Sequence, residues 1–398
     1  NPHFKLLKIF LFHSIYYILI IYKIKISKMG NLCNKKLQAP LLMPETPIEP
    51  QPQPKFTEKD FTKIKLIGKG SYGNVYLVRY NKNNQIYAMK VYIKSDLREK
   101  NQENNTKSER NLMTQINFPF IVSVKFAFQT ESKLFLVQEF IQGGDLFYHI
   151  HSGSKFSNER TKFYIIEIIL AIEFLHNNNM IYRDLKPENI LIGIDGHIKL
   201  TDFGLSKMVD SLEDKSYTVC GTLQYIAPEI IKGEGYNNSV DWWSLGIIIF
   251  EMLTGKLPFK FKYDAQYSFD MYKKKIIYPS WIEENAKDLI VNLLSIDPNK
   301  RLGNGINGAD NIKKHPFFNN VDWDKALKKQ LKPPFIPKVE DETDIKYFEK
   351  SLTESPIFSD NSEILMASEE NEDDDEYGGF TFVAESFKEL KDIKKEDS

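Results

Sequence analysis

Residues 182–189 read YRDLKPEN and bring a carboxylate, an ammonium and an amide into one short stretch. Asp184 is placed to accept a hydroxyl proton, Lys186 to neutralise a moving phosphoryl group, and Asn189 to offer a neutral oxygen to a hard cation. Asp202-Phe203-Gly204 follows thirteen residues after Asn189, behind the short strand-like run HIKL. The carboxylate of Asp202 supplies the charged oxygen that Mg2+ prefers alongside substrate phosphates. Upstream, GKGSYGNV at 68–75 sets Gly68, Gly70, Gly73 and Val75 in a G-x-G-x-x-G-x-V frame. Glycines let the backbone turn tightly and approach phosphates with no Cβ in the way. A dinucleotide-binding crossing uses a similar spacing but needs a helix straight after its glycines. Here Val75–Tyr80 continues with β-branched and aromatic residues into Asn-Lys-Asn-Asn, so a hairpin flap over a nucleotide fits better. Lys90 closes Ala88-Met89-Lys90, a run that is otherwise apolar. A lysine there either snorkels to the surface or has a partner. Glu109, nineteen residues on in TKSERNLM, supplies one, although a solvated helix face is its plainer reading.

These residues must be gathered from distant segments. Residues 61–140 contain the short β-rich runs TKIKLIG, NVYLVRY, IYAMKVYI and KLFLVQEF, interrupted by a helical stretch at about 103–116. Residues 157–178 place Phe163, Ile166, Leu170 and Phe174 at helical spacing, and a second apolar helix is expected over about 240–254. The expected fold class is α+β, with a small strand-rich half ahead of a larger, mainly helical half. Such a length, 398 residues, suits two lobes or two domains.

Taken in order, the four motifs resemble the signature set of eukaryotic protein kinases. The resemblance extends to Ala227-Pro228-Glu229, to Asp241-x-Trp243-x-x-Gly246 and to Arg301, and spans a kinase domain at 61–318. It narrows to the AGC group of serine/threonine kinases through Tyr182 before Arg-Asp, TVCGT at 218–222, RLGNGINGADNIKKHPFF at 301–318 and VDW at 321–323. From 56 to 387 it covers about 330 of the 398 residues, and it is nearest the ribosomal-protein kinase, protein kinase B and protein kinase C branches.

The resemblance implies a bilobal kinase fold with an extended C-terminal tail at 319–387, and ATP and Mg2+ as cofactors. It implies Asp184 as base, Lys186 on the γ-phosphate, Asn189 and Asp202 on Mg2+, a Lys90–Glu109 ion pair, and Thr222 in contact with Asp184. The nucleotide would lie against Ile67, Gly68, Lys69, Gly70, Ser71, Tyr72, Gly73, Asn74, Val75, Ala88, Glu139, Ile141 and Asp145, with Gln138 as an unusual polar gatekeeper. Asp145, Glu188 and Glu251 would receive arginines ahead of the phosphorylated residue, since guanidinium and carboxylate pair well. In the plainer reading Asp145 contacts only ribose and Glu251 only caps a helix. Leu223-Gln224 stands where Pro-Glu is commoner. Thr218 matches the activation-loop phosphosite, with Arg183 and Lys207 to bind its phosphate. YGGFTF at 377–382 resembles the hydrophobic motif, with Thr381 as its phosphosite and Phe380 and Phe382 docking on the small lobe. Ser355-Pro356 resembles the turn-motif site, near Thr353. An upstream activating kinase, basic protein substrates and the chain's own tail are the implied partners. The alternative is a pseudokinase scaffold, against which Lys90, Asp184, Asn189 and Asp202 all stand in place.

Composition agrees with a globular chain: 42% apolar, 13% aromatic and 27% charged, with net charge −1, so no global field attracts nucleic acid. Two cysteines, Cys33 and Cys220, exclude a disulfide framework and suggest a reducing, cytoplasmic setting. Residues 1–28 contain the apolar run 9–22, shorter than a membrane span requires. Those residues are expected to be an untranslated leader, with a signal anchor or a receptor-like span as the rival. From Met29 the chain reads MGNLCNKK, which resembles an N-myristoylation site at Gly30 with palmitoylation at Cys33 and basic support, though Asn34 replaces the preferred Ser or Thr. That would place the protein peripherally at membranes through residues 30–36. Six prolines at 40–54 read as an extended linker closing the 29–55 segment, EENEDDDE at 369–376 is an acidic run, and 388–398 is expected to be a disordered tail.

Overall fold

β-branched and aromatic residues dominate three successive runs, and each forms a strand: β1 (Phe61–Lys69), β2 (Gly73–Tyr80) and β3 (Ile86–Ile93). The computed structural model describes residues 56–70, 73–153, 155–260, 272, 274–354 and 377–387. All of these belong to one unit, residues 51–398. Gly30, Cys33, Ser71, Tyr72 and Ser355 lie outside the described residues, as does the apolar run 9–22.

Two helices, α1 (Lys94–Glu99) and α2 (Glu103–Gln115), follow β3. The chain then returns to the sheet as β4 (Val124–Gln129) and β5 (Lys133–Glu139). Antiparallel pairing gives the order β1-β2-β3-β5-β4, with a short tail strand, β10 (Phe382–Val383), beyond β4. The register sets Val75 opposite Lys90 and Leu77 opposite Ala88, so the glycine hairpin folds over the strand that carries the lysine. β4 was not among the runs picked out above.

The larger half is built on two helices that are buried nearly all round. After α3 (Leu146–His151) comes α4 (Asn158–Asn177), capped by Ser157, whose hydroxyl accepts from Arg160 N–H at 3.1 Å. Four short strands follow: β6 (Met180–Ile181), β7 (Ile190–Ile192), β8 (Ile198–Leu200) and β9 (Lys207–Met208). Beyond them lie α5 (Pro228–Ile231) and α6 (Ser239–Thr254), with Trp242 and Trp243 fully buried. α6 ends at Gly255, whose φ of 69° closes the helix in the left-handed region. α7 (Glu284–Leu293), α8 (Gly308–Lys313) and α9 (Trp323–Leu327) complete the lobe.

The tail returns to the small lobe. Tyr347 crosses Gly144, whose positive φ of 75° leaves no room for a side chain, since a Cβ would lie 2.5 Å from the Tyr347 carbonyl. Ile345 and Phe348 pack beside Ile67, Leu77 and Ala88. After α10 (Lys350–Thr353), residues 377–387 add β10 (Phe382–Val383) antiparallel to β4. Tyr377 and Phe380 are buried, whereas Phe382 is half-buried beneath Arg110. The Arg110 guanidinium donates to the carbonyls of Phe380 at 2.9 Å and Thr381 at 2.8 Å. Among the described residues no helix is long and apolar enough to cross a membrane.

Candidate active site

Short-range pairing, more than any single contact, brings the motifs together. β7 and β8 are antiparallel with Ile190 opposite Leu200, so Asn189 and Asp202 emerge side by side from one end of that hairpin. Thr201 N–H donates to the Asn189 carbonyl at 3.0 Å and locks the join. Beneath it, the buried carboxylate of Asp241 on α6 accepts from the backbone N–H groups of Tyr182 at 3.0 Å and Arg183 at 2.8 Å. It also pairs with His176 Nε2 at 2.8 Å. Arg183 and Asp202 hold φ of 69° and 60°, a region costly for non-glycine residues and tolerated where surrounding bonds over-determine the backbone.

Asp184 thereby sits at the centre of a polar cluster. Its Oδ1 accepts from Thr222 Oγ1 at 2.7 Å. Its Oδ2 lies 2.9 Å from Lys186 Nζ and accepts from Asn189 Nδ2 at 3.1 Å. Lys186 also donates to Thr222 at 2.8 Å. With its amide nitrogen turned to Asp184, Asn189 keeps its side-chain oxygen as the acceptor for a cation. From β3, Lys90 Nζ bridges Glu109 Oε1 and Asp202 Oδ1, at 3.0 Å each. Burial alone would depress the lysine, but the Asp202 and Glu109 carboxylates outweigh it and hold the ammonium well above its ordinary value. Burial likewise pushes Asp202 upward, and Lys90 reverses that, leaving it below the usual carboxylate range. Glu109 is raised, because burial prevails over its ammonium partner. Its other oxygen accepts from the hydroxyl of Tyr92, a partner that the sequence reading missed.

The residues fit a nucleotide and a divalent ion. Gly73 leaves the backbone bare where it meets β3: a Cβ there would lie 2.3 Å from the Val91 carbonyl oxygen. Ile67 and Ala88 are buried in one apolar cluster with Leu77, against which Val75, Phe140, Ile345 and Phe348 pack. Ile141 is buried, and Gln138 lies at the end of β5 opposite Ala88. Glu139 turns its side chain away, to Lys199 at 2.9 Å and to Ser123 N–H at 2.8 Å. Among the described residues no group of three or more His, Cys, Asp or Glu could hold a metal. Asn189 and Asp202 would therefore share a divalent ion with phosphate oxygens, as Mg2+ is usually held.

A second acidic group lies at the start of α3. Asp145 caps that helix, its carboxylate accepting from Tyr148 N–H at 2.7 Å. Burial, followed by the charges of Glu188 and Glu349, pushes it up to about 6, although the Tyr148 bond opposes the shift. Glu188 and Glu251 are raised as well, chiefly by burial. The side chain of Glu251 caps no helix: Oε2 accepts from Tyr225 OH at 2.7 Å and Oε1 faces His151 Nε2 at 3.5 Å.

Around Thr218 one tyrosine hydroxyl links the loop to Arg183. Thr218 is exposed. Arg183 donates to the Leu205 carbonyl at 2.6 Å and to Tyr236 OH at 3.1 Å, and Tyr236 OH in turn donates to the Thr218 carbonyl at 2.7 Å. Tyr236 carried no sequence signal. Lys207 lies in β9 opposite Ile181, and none of the described contacts joins it to Arg183 or Thr218. Farther down, Arg301 and Glu229 form a two-pronged pair at 2.6 and 2.8 Å.

The comparisons agree with this geometry. A sequence model of the protein kinase domain matches residues 61–318. A RAC family serine/threonine-protein kinase homolog of Dictyostelium discoideum is 43% identical over 344 residues, covering 84% of this chain and 75% of its own length. The serine/threonine-protein kinase gad8 of Schizosaccharomyces pombe is 46% identical over 297 residues, 74% of this chain and 51% of that protein. Ribosomal protein S6 kinase 2 alpha of Xenopus laevis is 41% identical over 347 residues, 86% of this chain and 46% of that protein. The chain thus spans three quarters of the first of these relatives and about half of the other two. It belongs to the protein kinase family, as a serine/threonine protein kinase of the AGC group.

Proposed function

We propose that the protein transfers the γ-phosphoryl group of Mg-ATP to Ser or Thr in proteins that carry arginine ahead of the acceptor. The observation that carries this reading is the convergence of Thr222, Lys186 and Asn189 on the Asp184 carboxylate. When bound, ATP would supply the phosphoryl group, and a divalent ion would offset the charge of its phosphates. Asp184 takes the hydroxyl proton at Oδ1, which accepts one bond where Oδ2 meets two partners. Thr222 and Lys186 hold that carboxylate in orientation, and Lys186 meets the charge that develops on the phosphoryl oxygens. Lys90, positioned by Glu109, binds the nucleotide's inner phosphates. Asn189 and Asp202 would hold Mg2+. Positioning and charge compensation account for most of the rate in such a site.

Three carboxylates raised by burial, Asp145, Glu188 and Glu251, favour a cationic ligand, because a guanidinium relieves the cost of their ionised forms. Activation by an upstream kinase at Thr218, with Thr381 and Ser355 as tail sites, belongs to the same proposal, as does acylation at Gly30 and Cys33. A cytoplasmic enzyme recruited to membranes through residues 30–36 would follow from that acylation. A positional peptide library phosphorylated by the full chain tests the central claim. Enrichment of arginine before Ser or Thr is expected. Equal use of all residues there would overturn the basic preference, and no transfer to any hydroxyl would overturn the chemistry.

The raised Asp145 also predicts a stability effect. The folded state holds its proton near pH 6, the unfolded chain near the ordinary carboxylate value of 3.8, so stability gained from protonation is present at low pH and is lost as pH rises through 6. Asp145→Asn keeps an N-cap acceptor and removes the ionisation. It is expected to add about 3 kcal/mol at neutral pH. The gain should fade as pH falls through 6 toward 4. Thermal denaturation across that pH range measures it, and a gain independent of pH would contradict the account.

A further inference from the structure

α3 ends on His151, which no motif singled out. Its Nδ1–H donates to the Phe147 carbonyl at 3.0 Å, and its ring stacks on that of Phe147 with centroids 4.1 Å apart. These contacts aim Nε2 at Glu251 Oε1, 3.5 Å away. The imidazole side chain is 37% exposed at the cleft, while Glu251 is 2% exposed and its other oxygen is taken by Tyr225. Because Nδ1–H is committed to a carbonyl, the neutral ring turns a lone pair toward the carboxylate, and only the protonated ring turns an N–H.

The charged and titratable groups around the ring come from several elements. Asp145 stands at the head of its own helix, Glu188 in the loop before β7, and Glu251 on α6 with Tyr225 bonded to it. Glu349, before α10, acts on Asp145, and Lys186 acts on Glu188. Asp145, Glu188 and Glu251 each feel a positive charge on His151 as a stabilising neighbour.

We propose that His151 is a specificity-determining residue that competes with the substrate's arginine for Glu251, so that an entering guanidinium expels the ring's proton to solvent. This rests on the reading of Asp145, Glu188 and Glu251 as the arginine-binding acids. An imidazolium 3.5 Å from the carboxylate repels the second cation and already satisfies the charge that the arginine would meet. Imidazole changes charge between pH 5 and 8, so arginine selection is strong in mild alkali and relaxed in mild acid. Proton and arginine binding are reciprocally linked. At a site open to solvent the effect is modest, about fivefold in selectivity.

The test uses two peptides that differ only in carrying arginine or its neutral isostere citrulline before the serine. The ratio of their kcat/KM values is followed from about pH 6 to about pH 8, the range in which an imidazole titrates. In the parent protein the ratio should rise about fivefold more across that range than in His151→Gln. His151→Lys, permanently charged, should stay low throughout, and the differences should fall in KM. Asp145 titrates in every variant, so the difference between profiles isolates the imidazole. Calorimetric titration of the parent and of His151→Gln with the arginine peptide, each in two buffers of different ionisation enthalpy, separates the ring's proton from those that Asp145, Glu188 and Glu251 release on meeting arginine. Superimposable profiles for the parent and His151→Gln, or no more proton release from the parent than from His151→Gln, would overturn the proposal while leaving arginine recognition intact. A ratio of unity in the parent at every pH would overturn the reading of the three acids and this inference with it.

Discussion

Asp184→Asn is expected to lower kcat by about a thousandfold, in the range that loss of a general base and of its fixed charge removes. The midpoint shift that Mg-ATP produces in thermal denaturation should stay close to the parent's. The two readouts separate because the contacts of Asp184 and those of the nucleotide are different. The carboxylate meets Thr222, Lys186 and Asn189, and of these only Lys186 and Asn189 would also reach the γ-phosphate and its metal, the rest of the nucleotide's contacts being independent of Asp184. The Lys90 bridge to Glu109 and Asp202 and the glycine hairpin are untouched by the substitution. Asparagine has nearly the same shape and can still accept from Thr222, so the loop should keep its course, held from below by Asp241. What is lost is the proton acceptor and the negative partner of Lys186. Turnover within about tenfold of the parent would show that the hydroxyl proton leaves without Asp184, and would remove the central assignment.

How far this site could be read in advance depended on where each role is encoded. Asp184, Lys186 and Asn189 lie within six residues, and their chemistry can be read because the local chain holds them together. Lys90 and Glu109 could be paired only as a wager across nineteen residues, and the 3.0 Å bridge bears it out. Asp202 as third partner of the lysine depends on the β7–β8 hairpin, a pairing of three-residue strands that carries almost no sequence signal. The helices over 158–177 and 239–254 were legible because apolar residues persist through several turns, whereas 103–115 has only Leu112 and Met113 to offer. Tyr92, Tyr236 and His151 were not, because aromatic and histidine side chains read alike whether they fill a core or bridge two charged groups.

The second large effect concerns a pair far from the nucleotide. Arg301 and Glu229 are each 2% exposed and joined through two hydrogen bonds at 2.6 and 2.8 Å. The guanidinium also donates to the Ser239 carbonyl at 3.1 Å and the Ser295 carbonyl at 3.2 Å. One side chain thus ties the start of α5, just beyond Leu223-Gln224, to the start of α6 and to the turn after α7. Arg301→Leu leaves the Glu229 carboxylate buried with no cation, a situation that costs about 3–5 kcal/mol. The unfolding midpoint should drop by roughly 10 °C. KM for peptide should rise before kcat changes, because Asp184 and its neighbours are held by Asp241 and the β7–β8 hairpin instead. The double variant Glu229→Leu with Arg301→Leu decides between two explanations of any loss. If an unpaired charge is the cause, the double variant should recover most of the stability, since apolar residues of similar volume replace buried ion pairs at little cost. If the three-way tie is the cause, the double variant should be no more stable than Arg301→Leu, and its peptide KM should stay high. Recovery of stability with KM still raised is the expected result, because the guanidinium's bonds to Ser239 and Ser295 are lost in both variants.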